Sequence, residues 1–324
     1  MIDATALAGW LGVRSVTVVG TPSGGGWSND TVFVEADGRS LVVRLIPEGR
    51  SMFPAYDLGH QVRAMRLTAA HGLPVPEIVG HEPDPGVLGR PFFVMARVPG
   101  RVPADDDPPF TKAGFLKDAS PPHQRRFHDA AVDAIAAVHA IPPPPFEVVG
   151  PHPADHLAHC HALATWCEAT PDIVFVAHEQ LAVSPPAVDE GACSLLWGDA
   201  RPANMVVDDH FAIVALLDWE LAGCGPGELD VAWFLEMNHM RSVGMGIEPL
   251  PGFPDAAGTW QRWAEAVGRT PRDLDWYRLF SAYRVSVFMQ LFLLTMVARG
   301  RLPATHRVIH DNPGSRRLTD LHRH

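Results

Sequence analysis

The sequence predicts an α+β chain of two lobes, a small β-rich N-terminal lobe and a larger, mainly helical C-terminal lobe. Two observations carry this. Within the first hundred residues, apolar side chains alternate with period two in several short segments; beyond residue 120 they recur at helical spacing. The chain has 324 residues, 47% of them hydrophobic, which is too long for one small core and sufficient for two.

The elements follow in order. Residues 14–20, RSVTVVG, alternate as a strand, and TPSGGGWSN is a glycine-rich loop. DTVFVEA (30–36) and RSLVVRLI (39–46) are strands joined at Asp37-Gly38, a strong hairpin signal. Leu58, Val62, Met65 and Ala69 mark an amphipathic helix over 57–71, ended by Gly72, with an extended stretch at 73–76. PFFVMARV (91–98) is a buried strand running into Pro99-Gly100, and an acidic, proline-containing loop follows at 103–109. Phe127, Ala131, Ile135 and Val138 mark a helix over 124–140, stopped by Pro142–Pro145. A further helix is predicted over 154–169, short apolar strands between 194 and 218, and helices over 227–240, 256–267 and 273–299. The change of character divides the chain into lobes of residues 1–96 and 97–324.

Composition narrows the classes of function. A formal net charge of −11 argues against nucleic-acid binding, which needs basic surface. Four cysteines without a C-x-x-C pair point to a reducing cytoplasm. The N-terminus lacks the basic and apolar regions of a signal peptide. The most apolar stretch, Val285 to Ala298, holds Gln290 and is shorter than the roughly 20 residues of a membrane span, so a buried core helix is expected and no membrane partner.

The chemistry is concentrated in LWGDARPANMVV (196–207) and LLDWE (216–220). Asp199 is followed five positions later by Asn204, with an apolar strand on each side, and Asp218 ends the next apolar strand. Phosphoryl transfer needs this set: one carboxylate to take the proton of an attacking hydroxyl, and an amide oxygen and a second carboxylate to hold Mg²⁺ against nucleotide phosphates. A D-x-x-x-x-N match alone is also common in ordinary turns. The later D-W-E, the upstream glycine loop and the β-then-α layout agree with it in order and spacing, which assigns Asp199 as base and Asn204 and Asp218 as metal ligands.

On these segments, GDARPAN and LLDWELAGCGPGELDVAW above all, the chain resembles the aminoglycoside phosphotransferase family, on the protein-kinase-like fold. Within it, the glycine-serine-asparagine loop and the D-W-E ending are similar to phosphotransferases related to the kinase-like domain of certain acyl-CoA dehydrogenases. The resemblance is strong at 21–46, 91–100 and 194–234. It implies ATP and Mg²⁺ between two lobes, a small-molecule alcohol as acceptor held by the helical lobe, and a monomer or homodimer. It also places Gly24, Gly25, Gly26, Ser28 and Asn29 over the phosphates, Arg44 against them, and the Ala96 carbonyl and Val98 N–H on the adenine edge.

Two positions depart from the family. The helical glutamate that pairs the basic residue is replaced by Gln61, with Asp57, one turn earlier, as the open alternative; the usual histidine before Gly-Asp is Trp197. These departures motivate a second reading, a catalytically silent pseudokinase that binds nucleotide or a partner. A protein kinase is disfavoured, because no activation loop ending in A-P-E follows Asp218. Asp230 is expected to support the catalytic loop, while Arg201 either faces the γ-phosphate or acceptor or braces the loop. His156 and Cys160, four apart, share a helix face as zinc ligands do, but lack further ligands; a helix flanking the acceptor cleft is the preferred reading. Trp233, Trp260, Trp263 and Trp276 are either core or the wall of a less polar acceptor site.

Overall fold

A computed structural model describes residues 2–22, 29–105, 108–146, 148–188 and 192–323. The N-terminal lobe is a five-stranded antiparallel sheet in the order β1-β2-β3-β5-β4, with β1 Val16–Gly20, β2 Asp30–Ala36, β3 Arg39–Leu45, β4 Ile78–Glu82 and β5 Phe92–Ala96. Helix α1 (Ala4–Leu11) is capped by Asp3, whose carboxylate accepts from the N–H groups of Thr5 and Ala6. Helix α2 (Leu58–Ala70) follows β3.

Strand alternation decides what each face of this sheet does. Leu41, Val43 and Leu45 of β3 pack with Leu7 of α1 in one core cluster. Val42 belongs instead to the cluster holding Leu58, Val62 and Met65 of α2. Arg44 shares the parity of Val42 and so points to that second face, toward the helical lobe.

The C-terminal lobe contains α3 (Pro121–Val138), α4 (Pro153–Trp166), α5 (Asp172–Val183), α6 (Glu228–Met240), α7 (Ala256–Val267), α8 (Leu274–Ala298) and α9 (Pro313–His322). Two short antiparallel pairs frame the motif residues: β6 (Cys193–Leu196) pairs with β9 (Gly223–Pro226), and between them β7 (Met205–Val207) pairs with β8 (Ile213–Leu216). Helix α8 is long and apolar enough to cross a membrane, but it packs against α4, α5, α6 and α9 and most of its apolar window is buried.

The lobes join tightly. Arg101 forms a two-way backbone bridge with Val207, both N–H···O distances being 2.8 Å. Gly100 just before it has φ +144°, and a Cβ there would lie 2.9 Å from the Val207 carbonyl oxygen, so only glycine passes. Leu216 N–H donates to Pro74 O at 2.8 Å, and His60 Nε2 lies 2.9 Å from Ala222 O.

Candidate active site

A cleft of about 960 Å³ lies between the sheet and the helices, and Arg44, Asp199, Asn204 and Asp218 all line it. Each is placed by its element. β6 delivers Leu196, after which Trp197, Gly198 and Asp199 turn into a short 3-10 segment, Pro202–Asn204, that leads to β7. β8 ends at Leu216 and hands on Asp218, which adopts φ +59°, a left-handed conformation tolerated by aspartate and often found where a site stores strain.

The two segments are cross-tied. Leu217 N–H donates to Asn204 O at 2.8 Å, and the Trp197 indole donates to Leu217 O at 2.8 Å. The tryptophan that replaces the family's histidine thus links the Asp199 segment to the Asp218 strand. Its ring lies 5.9 Å from that of Trp219, and both are fully buried.

Asp230, in the first turn of α6, accepts from the N–H groups of Trp197 (2.7 Å) and Gly198 (2.9 Å). His139 Nε2 lies 3.1 Å from the same carboxylate, and Trp263 Nε1, a donor only, lies 2.9 Å from His139 Nδ1. Nδ1 must therefore accept and Nε2 must donate, which fixes the tautomer. Gly198 has φ +84°, and a Cβ there would fall 1.8 Å from Leu221 O. The Trp197–Asp199 turn is thereby held on three sides.

Asp199 is buried, and both its oxygens are engaged. Oδ2 accepts from Asn204 Nδ2 (2.7 Å) and Arg201 Nε (2.9 Å), whereas Oδ1 accepts from the Trp233 indole at 2.9 Å. Asn204 Nδ2 also reaches Asp199 O at 3.0 Å. With its NH₂ spent on these two acceptors, Asn204 keeps Oδ1 as a free oxygen donor toward a cation. Asp218 Oδ1 receives both Nη1 and Nη2 of Arg44, at 3.1 and 3.0 Å, and its Oδ2 has no hydrogen bond among the described residues. One amide oxygen and one carboxylate oxygen, hard ligands both, fit Mg²⁺.

Arg44 is buried. Burial lowers its pKa, but the carboxylates of Asp218 and Glu220 outweigh that and raise it overall. The alternative left open, a pairing with Asp57, does not occur: Asp57 binds Arg63 at 2.8 Å, an exposed contact. The reason is position, since Arg44 points into the cleft and Asp218 meets it there. Gln61 is buried, with its Oε1 unpartnered. Asn29 donates through Nδ2 to Glu220 Oε2 at 2.9 Å, joining the end of the glycine loop to D-W-E. Ala96 and Val98 line the cleft; the N–H groups of Ala96 and Arg97 are used by Glu77 O and Ser40 O, so Val98 is the first residue past the ladder. Gly24, Gly25, Gly26 and Ser28 lie outside the described residues.

Arg201 braces the loop. It bridges Asp199 to Asp105, which also receives Arg241 Nε and Nη2 at 2.8 and 2.7 Å. Burial pushes the Asp105 carboxyl up, but the guanidiniums of Arg201 and Arg241 prevail and hold it at about 2. Asp105 and Arg241 carry no motif signal. A D-V-A-W continuation after Asp230 was the only local signal for Trp233.

Helix α4 contributes no residue to the cleft, contrary to expectation. It packs against α5 and α8, and His156 Nε2 meets Cys224 O at 2.9 Å behind the catalytic turn. Among the described residues no cluster of three His, Cys, Asp or Glu side chains could hold a metal. Trp260 and Trp263 are core, stacked edge to face at 5.9 Å, while Trp233 lines the cleft.

Residues 19–277 match the phosphotransferase enzyme family, APH. The acyl-CoA dehydrogenase family member 10 of Mus musculus is 25% identical over 281 residues, covering 82% of this chain and 25% of that protein. The chain thus spans about a quarter of the length of this relative. A Ralstonia eutropha structure described as an aminoglycoside phosphotransferase superposes with a TM-score of 0.72 at 20% identity, covering 99% of both chains. The aminoglycoside phosphotransferase APH(3'')-Id of Streptomyces rimosus, solved with ADP and streptomycin, superposes with a TM-score of 0.52 at 14% identity, covering 82% of this chain and 94% of that one. The shared fold is the α+β, kinase-like plan of two lobes.

Proposed function

The chain belongs to the APH phosphotransferase enzyme family, and on that premise we propose that it transfers the γ-phosphate of ATP to a hydroxyl group of a small molecule. The observation that carries the reading is the convergence of Asp199, Asn204, Asp218 and Arg44 on one cleft.

Asp199 is the base. Its Oδ2 is saturated by Asn204 and Arg201, whereas Oδ1 carries one donor, Trp233, and keeps room for a second. The acceptor hydroxyl gives its proton to Oδ1 as its oxygen bonds to the γ-phosphorus. The bond from that phosphorus to the β,γ-bridging oxygen breaks, and ADP leaves. Asn204 Oδ1 and Asp218 Oδ2 would hold Mg²⁺, which would neutralise phosphate charge. Arg44 releases or shares Asp218 to meet phosphate oxygens, to which its fork is suited. Asn29 faces the phosphates, and the backbone of Ala96 and Val98 reads the adenine edge.

The test is ATP turnover with a panel of alcohols, sugars, macrolides and aminoglycosides. Asp199→Ala is expected to lower kcat by about 10²- to 10⁴-fold, the range for a lost general base. Chelation of Mg²⁺ is expected to abolish transfer. Wild-type transfer by Asp199→Ala would sink the assignment, and nucleotide binding without transfer to any acceptor would favour the silent pseudokinase.

A further inference from the structure

The acceptor half of the cleft has a composition of its own. On α8, Val285, Phe288, Met289 and Phe292 line the cleft at spacing i, i+3, i+4, i+7, a single stripe of one helix face. On α6, Met237 and Met240 continue the row begun by Trp233, again at i+4 and i+7. The two stripes form adjoining walls. Trp233 and Phe288 meet edge to face at 5.8 Å, and Phe53, from the segment after β3, closes on Phe288 at 5.5 Å.

Charge is absent from these stripes, and the carboxylates nearby are committed. Asp199 is held by Arg201, Asp218 by Arg44, Asp105 by both Arg201 and Arg241, and Glu220 accepts from Asn29 Nδ2. Arg284 turns its guanidinium onto the Trp233 ring at 4.4 Å and donates to Gly198 O at 2.9 Å. An ammonium group placed against the α6 and α8 stripes would lose hydration and meet no carboxylate on those stripes in exchange. An apolar body would gain by leaving water, and three methionines can adapt to its shape.

Resting on the phosphotransferase reading of the same site, we infer that the acceptor is an uncharged alcohol whose hydroxyl is carried on an apolar body. The hydroxyl meets Asp199 Oδ1 beside the Trp233 indole, and the apolar body lies between α6 and α8. The same walls disfavour cationic aminosugars.

Two measurements test this, with 2-octanol and cyclohexanol set against kanamycin and choline. In an ADP-release assay with Mg·ATP, kcat/KM for the apolar alcohols is expected to exceed that for the cations by at least about 10-fold, a modest value for a hydrophobic pocket. Independently, 2-octanol is expected to quench tryptophan fluorescence saturably. Met289→Glu should remove both effects, and Met289→Leu, which keeps the volume apolar and controls for folding, should retain them. Transfer confined to kanamycin or choline would overturn the inference and keep the phosphotransferase reading. Saturable 2-octanol binding, lost in Met289→Glu but without transfer to any compound, would keep the apolar site and remove that reading. Absence of both binding and transfer would overturn both.

Discussion

Asp105 lies in a loop that sequence marks only as acidic and proline-containing, yet it receives two guanidiniums from positions 96 and 136 residues away. Its held-down carboxyl is a stability statement with a definite sign. The native pKa of about 2 lies below the ordinary 3.8, so the contribution is complete above pH 4 and lost as pH falls toward 2. Asp105→Asn would leave Arg201 and Arg241 sharing a neutral group. Breaking such a buried pair is expected to cost about 3 kcal/mol in urea unfolding. It should also lower kcat, because Arg201 would no longer be fixed against Asp199. An unfolding midpoint equal to wild type would contradict the bracing role. Asp199, Asn204 and Asp218 were legible in the sequence because they sit in two short segments whose order and spacing are local. Asp105 and Arg241 are not, because their meaning depends on which distant segment the fold brings beside them. Gln61, being neutral, forms no ion pair with Arg44, whose partner, Asp218, is 174 positions away.

At the scale of elements, α6 does two jobs with one face. Its first turn anchors the catalytic turn through Asp230, and two turns of Trp233, Met237 and Met240 then supply a cleft wall. The anchor depends on close contact: a Cβ on Gly227 would lie 2.4 Å from His139 Nδ1 and 2.7 Å from the Trp263 ring. Gly227→Ala must therefore push His139 off Asp230 or shift the start of α6. Overpacking of this kind typically costs about 1–3 kcal/mol, and a drop in kcat is expected alongside it, with thermal melting and turnover read on the same sample. Unchanged kcat in a destabilised protein would separate the anchor from catalysis. Periodicity marks α2, α3 and α7, each with an apolar row on one face, whereas α4, α6 and α8 read as helical stretches with no single apolar face. It missed β9, whose Gly-Cys-Gly-Pro has no strand propensity and becomes a strand only by pairing with β6. It missed β4 for a similar reason, since Gly80 and His81 break its alternation and the pairing with β5 supplies the order. Helices α1, α5 and α9 are short and rest on the body of a lobe, so their identity comes from packing more than from pattern.

For the whole molecule, the histidines buried between elements set the response to acid. His156 carries α4 against β9, and burial is the main cause that lowers its pKa from 6.5 to about 4. Arg284 and His159 press the same way, while the Cys224 carbonyl and Asp230 oppose them. His128, on α3 against Thr259 of α7, is lowered too, again chiefly by burial, with Arg125 and Arg262 adding to it and Asp129 opposing. His60, which ties α2 to the catalytic lobe, shifts in the same direction for the same first reason. In each case the native protein holds a neutral ring while the unfolded chain takes up a proton below pH 6.5, so stability falls as pH drops from 6.5 toward 4. For His156 alone, a shift from 6.5 to about 4 corresponds to roughly 3 kcal/mol, a large share of the 5–15 kcal/mol of a typical domain. Asp105 is silent in this window, because its own contribution is lost only below pH 4. The urea midpoint is therefore expected to decline steadily between pH 7 and pH 4.5. His156→Gln, which can still donate to the Cys224 carbonyl but does not titrate, should flatten that decline. A wild-type midpoint constant across the window, or a His156→Gln slope as steep as wild type, would show that these histidines do not hold α4, α3 and α2 to the catalytic lobe in neutral form.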